Sequence, residues 1–325
     1  MLTRSLGARS GIEVTEIGLG LWAVPGFEWG PGEDQDILEA IESAREGGVN
    51  FFDTADLYGP HLSEELLGRA MAGHRDEFVV ATKIGWKGWD AEANRSQYDT
   101  VDKLVTGVEE SLRRLGTDYV DAIQCHISFS EPNSGVFIEG FKRLKDEGKV
   151  RAWGVSTGDL THLERFNADG DCDTLQIDYS ILNRIPEQEV FPYCQEQGIG
   201  VIVRGPLAMG LLTGKFGSEA TFPEGDFRRA WIEDAAQNAQ FRQDLETVER
   251  LRGVVPAEDS MAAFALRFVT SHPAVSSAIP GARNRRQAEA NVAAGLGPAL
   301  THEEHAAVDS LVPRGGGRKI WPEVT

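Results

Sequence analysis

The sequence predicts an α/β protein: a (β/α)8 TIM barrel entered through an N-terminal β-hairpin, with an inserted loop after the seventh barrel strand and an extra C-terminal helix. Three observations predict it. Strand-like apolar runs alternate eight times with segments of helical spacing, and alternation with short connections implies parallel strands. Helical segments stop repeatedly on glycine, at Gly47-Gly48, Gly148 and Gly198. The 325 residues suit one such barrel with additions, since a barrel typically takes about 250. Residues 1–325 are therefore expected to form a single domain.

The elements follow in order. Residues 1–16 read as a hairpin, two short runs around the turn Gly7-Ala8-Arg9-Ser10-Gly11. The run IGLGLWAV, 17–24, is the first barrel strand, ended by Pro25-Gly26. A helix over about 34–47 has Ile37, Leu38, Ile41 and Ala44 on one face. NFFDTA is the second strand, followed by the helix-like SEELLGRAM with Ser63 as its candidate cap. Strand 78–84 precedes a helix over about 99–115, with Val101, Leu104, Val105, Val108 and Leu112 at helical spacing. Strand 119–126 precedes a helix near 134–147, strand 150–156 a short helix near 159–167, and strand 174–180 a helix over about 187–197. Strand 200–206 runs into a Gly/Pro-rich stretch, 205–226, that reads as the inserted loop. A helix near 257–271, strand 274–281, a helix near 284–294 and a last helix over about 302–311 precede an irregular tail, expected at the surface or at a pocket rim. Gly18-Leu19-Gly20-Leu21-Trp22-Ala23 matches the G-x-G-x-x-A dinucleotide fingerprint, but Val24-Pro25-Gly26 stands where that fingerprint needs a helix to open. An open doubly wound sheet is the lesser reading.

Apolar residues make up 41% of the chain and the formal net charge is −19. That acidity argues against nucleic acid as a partner and would repel an anionic membrane. No apolar stretch approaches the roughly 20 residues that span a bilayer, and the N-terminal residues lack the apolar core of a signal peptide. Cys125, Cys172 and Cys194 are odd in number, far apart and without a CxxC pair. Neither a disulfide framework nor a metal site is expected, and a reducing cytoplasm is the expected compartment.

In a barrel of this kind the site lies at the carboxyl ends of the strands. Asp53 ends the second strand, Lys83 the third and His126 the fourth, and Tyr58 sits in the loop after the second. Adjacent strands lie about 5 Å apart, so the four side chains are expected to converge. A free tyrosine, with a pKa near ~10, is a poor acid at neutral pH. A buried lysine beside it is expected to lower that value, and a carboxylate to compensate the lysine. His126 would orient a carbonyl oxygen beside the phenol. Each residue alone has an ordinary structural role; their joint placement on consecutive strand ends points to proton delivery during carbonyl reduction.

The motifs NFFDTADLYG, SEELLG, ATKIG, DYVDAIQCH, WGVST, LQIDYSILNR, GPLAMGLLTGKF and IPGARNRRQAEAN occur in that order. With them the chain resembles an aldo-keto reductase over nearly its whole length. The resemblance implies a barrel, NADPH as cofactor, and Asp53, Tyr58, Lys83 and His126 as the catalytic group. Ser156 and Gln176 resemble the residues that hold the nicotinamide carboxamide, while Thr157 departs from the family's usual asparagine. Arg204 stands where many relatives carry an aromatic residue against the nicotinamide; its guanidinium would stack there or meet phosphate or substrate. Gly205, Leu207, Gly210 and Lys215 resemble the segment draped over the pyrophosphate. Gly281, Arg283, Gln287 and Asn291 fall in the region that reads the 2′-phosphate and the adenine, with Ala290 replacing a frequent glutamate. Arg228 and Arg229 are either solvated or a clamp on the cofactor.

Trp22 and Trp86, with Phe129 and Trp321 behind them, are the substrate-facing candidates. Residues 127–130 depart from the family's tryptophan-proline pair, so substrate identity does not carry over. The sequence thus reads as an NADPH-dependent reductase of an aldehyde, ketone or sugar carbonyl, with a small-molecule partner and an open oligomeric state. The alternatives are a cofactor-sensing or subunit-binding barrel, and NAD(P)-dependent oxidation of a cyclic polyol or aldose.

Overall fold

The structure is a computed structural model, and its described residues are 1–26, 28–85, 98–129 and 132–320. Strands β1 (Thr3–Ser5) and β2 (Glu13–Thr15) pair antiparallel as the expected hairpin. The strands β3 (Leu19–Gly20), β4 (Phe51–Asp53), β5 (Val79–Ile84), β6 (Val120–Cys125), β7 (Val150–Ser156), β8 (Thr174–Asp178), β9 (Gly200–Arg204) and β10 (Val275–Ala278) form one eight-stranded sheet in chain order. Every neighbouring pair is parallel. Parallel bridges Ile17↔Ala278 and Gly20↔Gly281 join the first strand to the last, which closes the barrel.

Helices α1 (Asp34–Glu46), α2 (Leu62–Met71), α3 (Val101–Leu115), α4 (Ser134–Asp146), α5 (Leu160–Phe166) and α6 (Val190–Gln197) connect β3 through β9. Between β9 and β10 lie α7 (Ala230–Glu233), α8 (Ala235–Arg252) and α9 (Met261–Thr270), and α10 (Arg285–Gly295) and α11 (His302–Leu311) follow. The ends of α3 show the sequence logic. Thr100 accepts from the Lys103 amide, and Gly116 leaves the helix at φ 63°. A side-chain cap of this kind is worth about 1 kcal/mol.

The first strand is much shorter than the run 17–24 suggests. A Cβ on Gly18 would stand 2.8 Å from the Phe51 carbonyl oxygen, and one on Gly20 2.8 Å from that of Ile279. The two glycines let the chain pass through the seam between β4 and β10. The G-x-G pattern is therefore a packing requirement of barrel closure, not a phosphate loop.

Alternation along the strands sets both the floor and the site. Phe51, Ala81, Ala122, Ala152 and Ile202 point inward and pack with Leu6, Ile12 and Val14 of the hairpin segment, which plugs the barrel. Full burial of a large apolar side chain contributes about 1.5–3 kcal/mol. Two residues further along the same strands, on the same face, stand Asp53, Lys83, Gln124, Gly154 and Arg204.

Two expectations are corrected. No helix is expected between 226 and 257, yet α8 alone runs 18 residues. Its buried Phe241, Val248 and Leu251 stand at helical spacing within an otherwise polar segment, so the apolar stripe is narrow. Ser63 does not cap α2 either: it lies inside the helix, after His61 at φ 72°. Its hydroxyl donates to the Leu21 carbonyl at 2.9 Å and pairs with the Thr54 hydroxyl at 2.6 Å.

Candidate active site

The Lys83 ammonium donates to Asp53 Oδ1 at 2.6 Å and to the Thr54 carbonyl at 2.7 Å. Gln176 Nε2 donates to the other Asp53 oxygen at 2.8 Å. Burial raises the Asp53 carboxyl above its usual range and lowers the Lys83 ammonium, each against their mutual attraction. Full hydrogen bonding of both partners is what makes a buried ion pair tolerable.

Tyr58 is set above this pair by its loop. The Thr54 amide donates to the Ala81 carbonyl at 2.8 Å and the Asp56 amide to that of Lys83 at 3.1 Å, so the loop continues the ladder along β5. The His126 amide does the same from beyond β6, donating to the Ile84 carbonyl at 2.9 Å. The Tyr58 and His126 rings meet edge to face, 5.6 Å between centroids. Lys83 Nζ stands 4.8 Å from the Tyr58 ring centroid. The four residues expected to converge do so.

The electrostatics differ from expectation. Burial pushes the Tyr58 hydroxyl well above its ordinary value, with Asp53 adding to the rise and Arg204 opposing it. The anticipated lowering by Lys83 does not prevail, because that ammonium is engaged by Asp53 and Thr54. Burial, reinforced by Lys83 and Arg204, holds His126 well below its ordinary value. The pair is therefore a protonated phenol beside a neutral imidazole at neutral pH.

These groups open into a cavity of about 1200 Å³. Trp22, Asp53, Tyr58, His126, Ser156, Gln176 and Arg204 line its deep part, with Phe129 beside them. Trp22 stands 4.7 Å from Trp29 and 5.5 Å from Phe227 by ring centroids, and its indole N–H donates to Glu28 at 2.8 Å. Burial raises the Glu28 carboxyl against that hydrogen bond. Trp86 and Trp321 lie outside the described residues. The Thr157 hydroxyl turns away and donates to the Ser128 carbonyl at 2.6 Å.

Gly205, Leu207, Gly210 and Lys215 line the next part of the cavity. Ala208, Met209 and Gly210 all take left-handed backbone, at φ 48°, 54° and 96°, a strain that clusters at ligand-holding loops. Arg228 donates to both Asp226 oxygens and lies over Trp29 and Phe222, 4.9 and 4.8 Å from their centroids. Arg229 pairs with Glu233 instead.

At the far end Gly281, Arg283, Gln287 and Asn291 line the cavity, joined by Arg286. Arg283 donates to the Trp29 and Pro31 carbonyls, both at 2.7 Å, so it ties down the loop after β3. Burial, then Arg228, lowers its guanidinium. Gln287 accepts from the Arg283 amide at 2.9 Å, and Asn291 donates to the Gly281 carbonyl at 3.3 Å. Among the described residues no group of three His, Cys, Asp or Glu side chains forms a metal site, and no helix is long and apolar enough to cross a membrane.

The sequence pattern of the Aldo/keto reductase family matches residues 16–313. The chain belongs to the aldo/keto reductase family. It is 33% identical over 326 residues to "Aldo-keto reductase YhdN" of Bacillus subtilis (strain 168), covering 97% of this chain and 95% of that protein. The glycerol dehydrogenase AKR11B4 from Gluconobacter oxydans superposes with a TM-score of 0.82 at 30% identity, covering 99% of this chain and 98% of that one. An aldo-keto reductase from Klebsiella pneumoniae in complex with NADPH gives 0.72 at 26% identity, covering 96% of both chains. The family uses nicotinamide cofactors, and the fold and the oxidoreductase class follow from membership.

Several aldo/keto reductase cavity residues are invisible to strand-end reasoning. Trp29, Lys319, Asp178 and Asn183 all line it. Asp178 alone had a readable signal, two residues beyond Gln176 on the same strand face. The others arrive through loops whose course only the fold determines.

Proposed function

We propose that the protein is an NADPH-dependent reductase of aldehydes, ketones or sugar carbonyls, with Tyr58 as its general acid. The observation that carries this reading is the protonated Tyr58 hydroxyl beside neutral His126, both lining one cavity above the Lys83–Asp53 pair. The cavity suits a nicotinamide dinucleotide in its donor set. Ser156 offers a hydroxyl, and Gln176, with its amide nitrogen committed to Asp53, offers its carbonyl oxygen. Lys215, Arg228, Arg283 and Arg286 put cations along it, a local reversal in a chain of net charge −19, as an anionic ligand requires.

The bound coenzyme supplies the hydride. The chain's residues handle the other half of the reduction. The neutral imidazole of His126 directs the carbonyl oxygen toward the Tyr58 hydroxyl, which donates its proton as negative charge develops on that oxygen. Arg204, the cation that opposes the rise of the Tyr58 hydroxyl, stabilises the phenolate left behind, and Asp53 holds Lys83 in place behind the ring. Trp22 and Trp29 exclude water from the reacting end.

The test is an NADPH-consumption screen across aldehydes, ketones and sugars, with NADH and the reverse oxidation of alcohols run alongside. Turnover of carbonyl compounds with NADPH is expected. Turnover in neither direction would reject the reading in favour of a binding role.

A further inference from the structure

We propose that Glu28 is a positioning residue: it sets the Trp22 indole as the pocket wall beside Tyr58 and joins that wall to the insertion after β9. This rests on the reductase reading above. Trp22 and Tyr58 both line the cavity, with their ring centroids 6.4 Å apart. The Trp22 indole N–H donates to Glu28 Oε2 at 2.8 Å. An indole N–H drawn away from water needs an acceptor, and Glu28 supplies it. The bond also fixes the ring's orientation. The last side-chain torsion of a tryptophan is soft, and packing against Trp29 and Phe227 alone leaves the indole free to turn over. A ring held by its N–H presents one constant face to whatever lies beside the Tyr58 hydroxyl.

Glu28 is itself held from the insertion. The Gly26 amide donates to the Gly30 carbonyl at 2.9 Å, closing the loop that carries Glu28. The Phe227 amide donates to the Glu28 carbonyl at 2.9 Å, and Trp29 pairs antiparallel with Asp226. The Phe227 ring packs 5.5 Å from Trp22 and 5.2 Å from Trp29. Asp226, 3% exposed, holds the Arg228 guanidinium, which also donates to the Met209 carbonyl at 3.3 Å. Bonded links therefore run from the left-handed segment at Met209 through Arg228, Asp226 and Phe227 to Glu28, and from Glu28 to Trp22. The tie to Phe227 uses the Glu28 backbone, and the tie to Trp22 uses its side chain. A substitution at position 28 thus loosens Trp22 and leaves the two loops joined.

The experiment compares Glu28→Ala and Glu28→Gln with the wild type. Glutamine keeps an oxygen that accepts the indole N–H; alanine removes it. Rates with NADPH are measured for para-nitrobenzaldehyde, whose ring needs a pocket wall, and for acetaldehyde, which is too small to need one. In Glu28→Ala, kcat/KM for para-nitrobenzaldehyde is expected to fall at least about 10-fold, chiefly through KM, against no more than about 3-fold for acetaldehyde. The NADPH dissociation constant is expected to stay within about twofold, and Glu28→Gln within about 3-fold of the wild type on both aldehydes. Equal losses for the two aldehydes, equal losses in the two variants, or no loss at all would overturn the proposal. A weakened NADPH dissociation constant in Glu28→Ala would overturn it too, by placing the side chain's role in holding the insertion. A second readout needs no turnover. The Trp22 indole N–H is identified by NMR as the signal lost in Trp22→Phe. It is expected to exchange with solvent at least about 10-fold faster in Glu28→Ala than in the wild type or Glu28→Gln. Equal exchange in all three would overturn the tie. Faster exchange in Glu28→Ala, with no turnover of any carbonyl compound by the wild type, would reject the reductase reading and keep the tie.

Discussion

Lys83 and Asp53 meet at 2.6 Å with side-chain exposures of 0% and 2%. The pair lies directly behind Tyr58, and its hydrogen bonds, to each other, to the Thr54 carbonyl and from Gln176, are internal to the barrel. Removing one partner leaves a buried charge uncompensated, a change that costs about 3–5 kcal/mol in such pairs. Asp53→Asn is therefore expected to lose that much in urea unfolding, with Lys83→Met of similar size. The double variant is expected to recover most of the loss, since no charge is then stranded. A double variant as unstable as the two single losses combined would contradict this account.

Tyr58→Phe keeps the ring and its packing against His126 and removes only the transferable proton. Coenzyme binding is expected to persist while turnover falls roughly 10²-fold or more. The pH dependence has a definite sign. The Tyr58 hydroxyl is raised above the ordinary 10.0, and His126 is lowered below the ordinary 6.5. Tyr58 stays protonated, and His126 neutral, between those two values. Carbonyl reduction is expected to be flat across that window, falling only on its acid side as His126 gains a proton and on its alkaline side as Tyr58 loses one. A titration centred at 6.5 in kcat/KM would place the histidine in solvent and remove it from this role.

How much of this is legible in the sequence depends on how local the cause is. Asp53, Lys83 and His126 are readable because strand ends and period-two alternation place them. Tyr58 follows because its loop is short and pinned to β5. The protonation state of Tyr58 is not readable, since it turns on whether Lys83 is already engaged, a tertiary matter. The short β3 is legible only after closure shows what crowds Gly18 and Gly20. Helix α8 hides behind a thin apolar stripe, and Ser63 resembles a cap because its partners, Leu21 and Thr54, are distant in sequence or outside the helix.

Gly205 joins β9 to the left-handed segment at φ 64°, and a Cβ there would stand 2.7 Å from Asp178 Oδ1 and 3.1 Å from Met209 Cε. Asp178 cannot swing aside freely because Asn183 holds its other oxygen. Gly205→Ala is expected to cost about 1–2 kcal/mol for the left-handed backbone alone, and more for the displaced carboxylate. Thermal unfolding measures the first part. A variant as stable as the wild type would mean that the segment relaxes in solution to a conformation other than this one.

The choice between NADPH and NADH rests on one 2′-phosphate, and the two cavity-lining arginines at that end are not equivalent. Arg283 commits a donor of each terminal nitrogen to the Trp29 and Pro31 carbonyls. Its removal frees the loop after β3, which also carries Glu28, the hydrogen-bond partner of Trp22. Arg286 lines the same cavity and makes no ion pair among the described residues, whereas its neighbour Arg285 reaches Glu46 and Glu289 at 3.5 and 3.9 Å. A guanidinium binds phosphate through two parallel hydrogen bonds, and Arg286 has all its donors for that purpose. Arg286→Ala is expected to weaken NADPH binding by about 1.5–3 kcal/mol, the size of a charged hydrogen bond, with little change for NADH. Arg283→Ala is expected to weaken both coenzymes, because it loosens a wall that both share. Fluorescence titrations of each variant with each coenzyme at fixed salt separate the two roles. A selective NADPH loss in Arg283→Ala, with none in Arg286→Ala, would return the 2′-phosphate to Arg283 and show that its tie to the loop yields on binding.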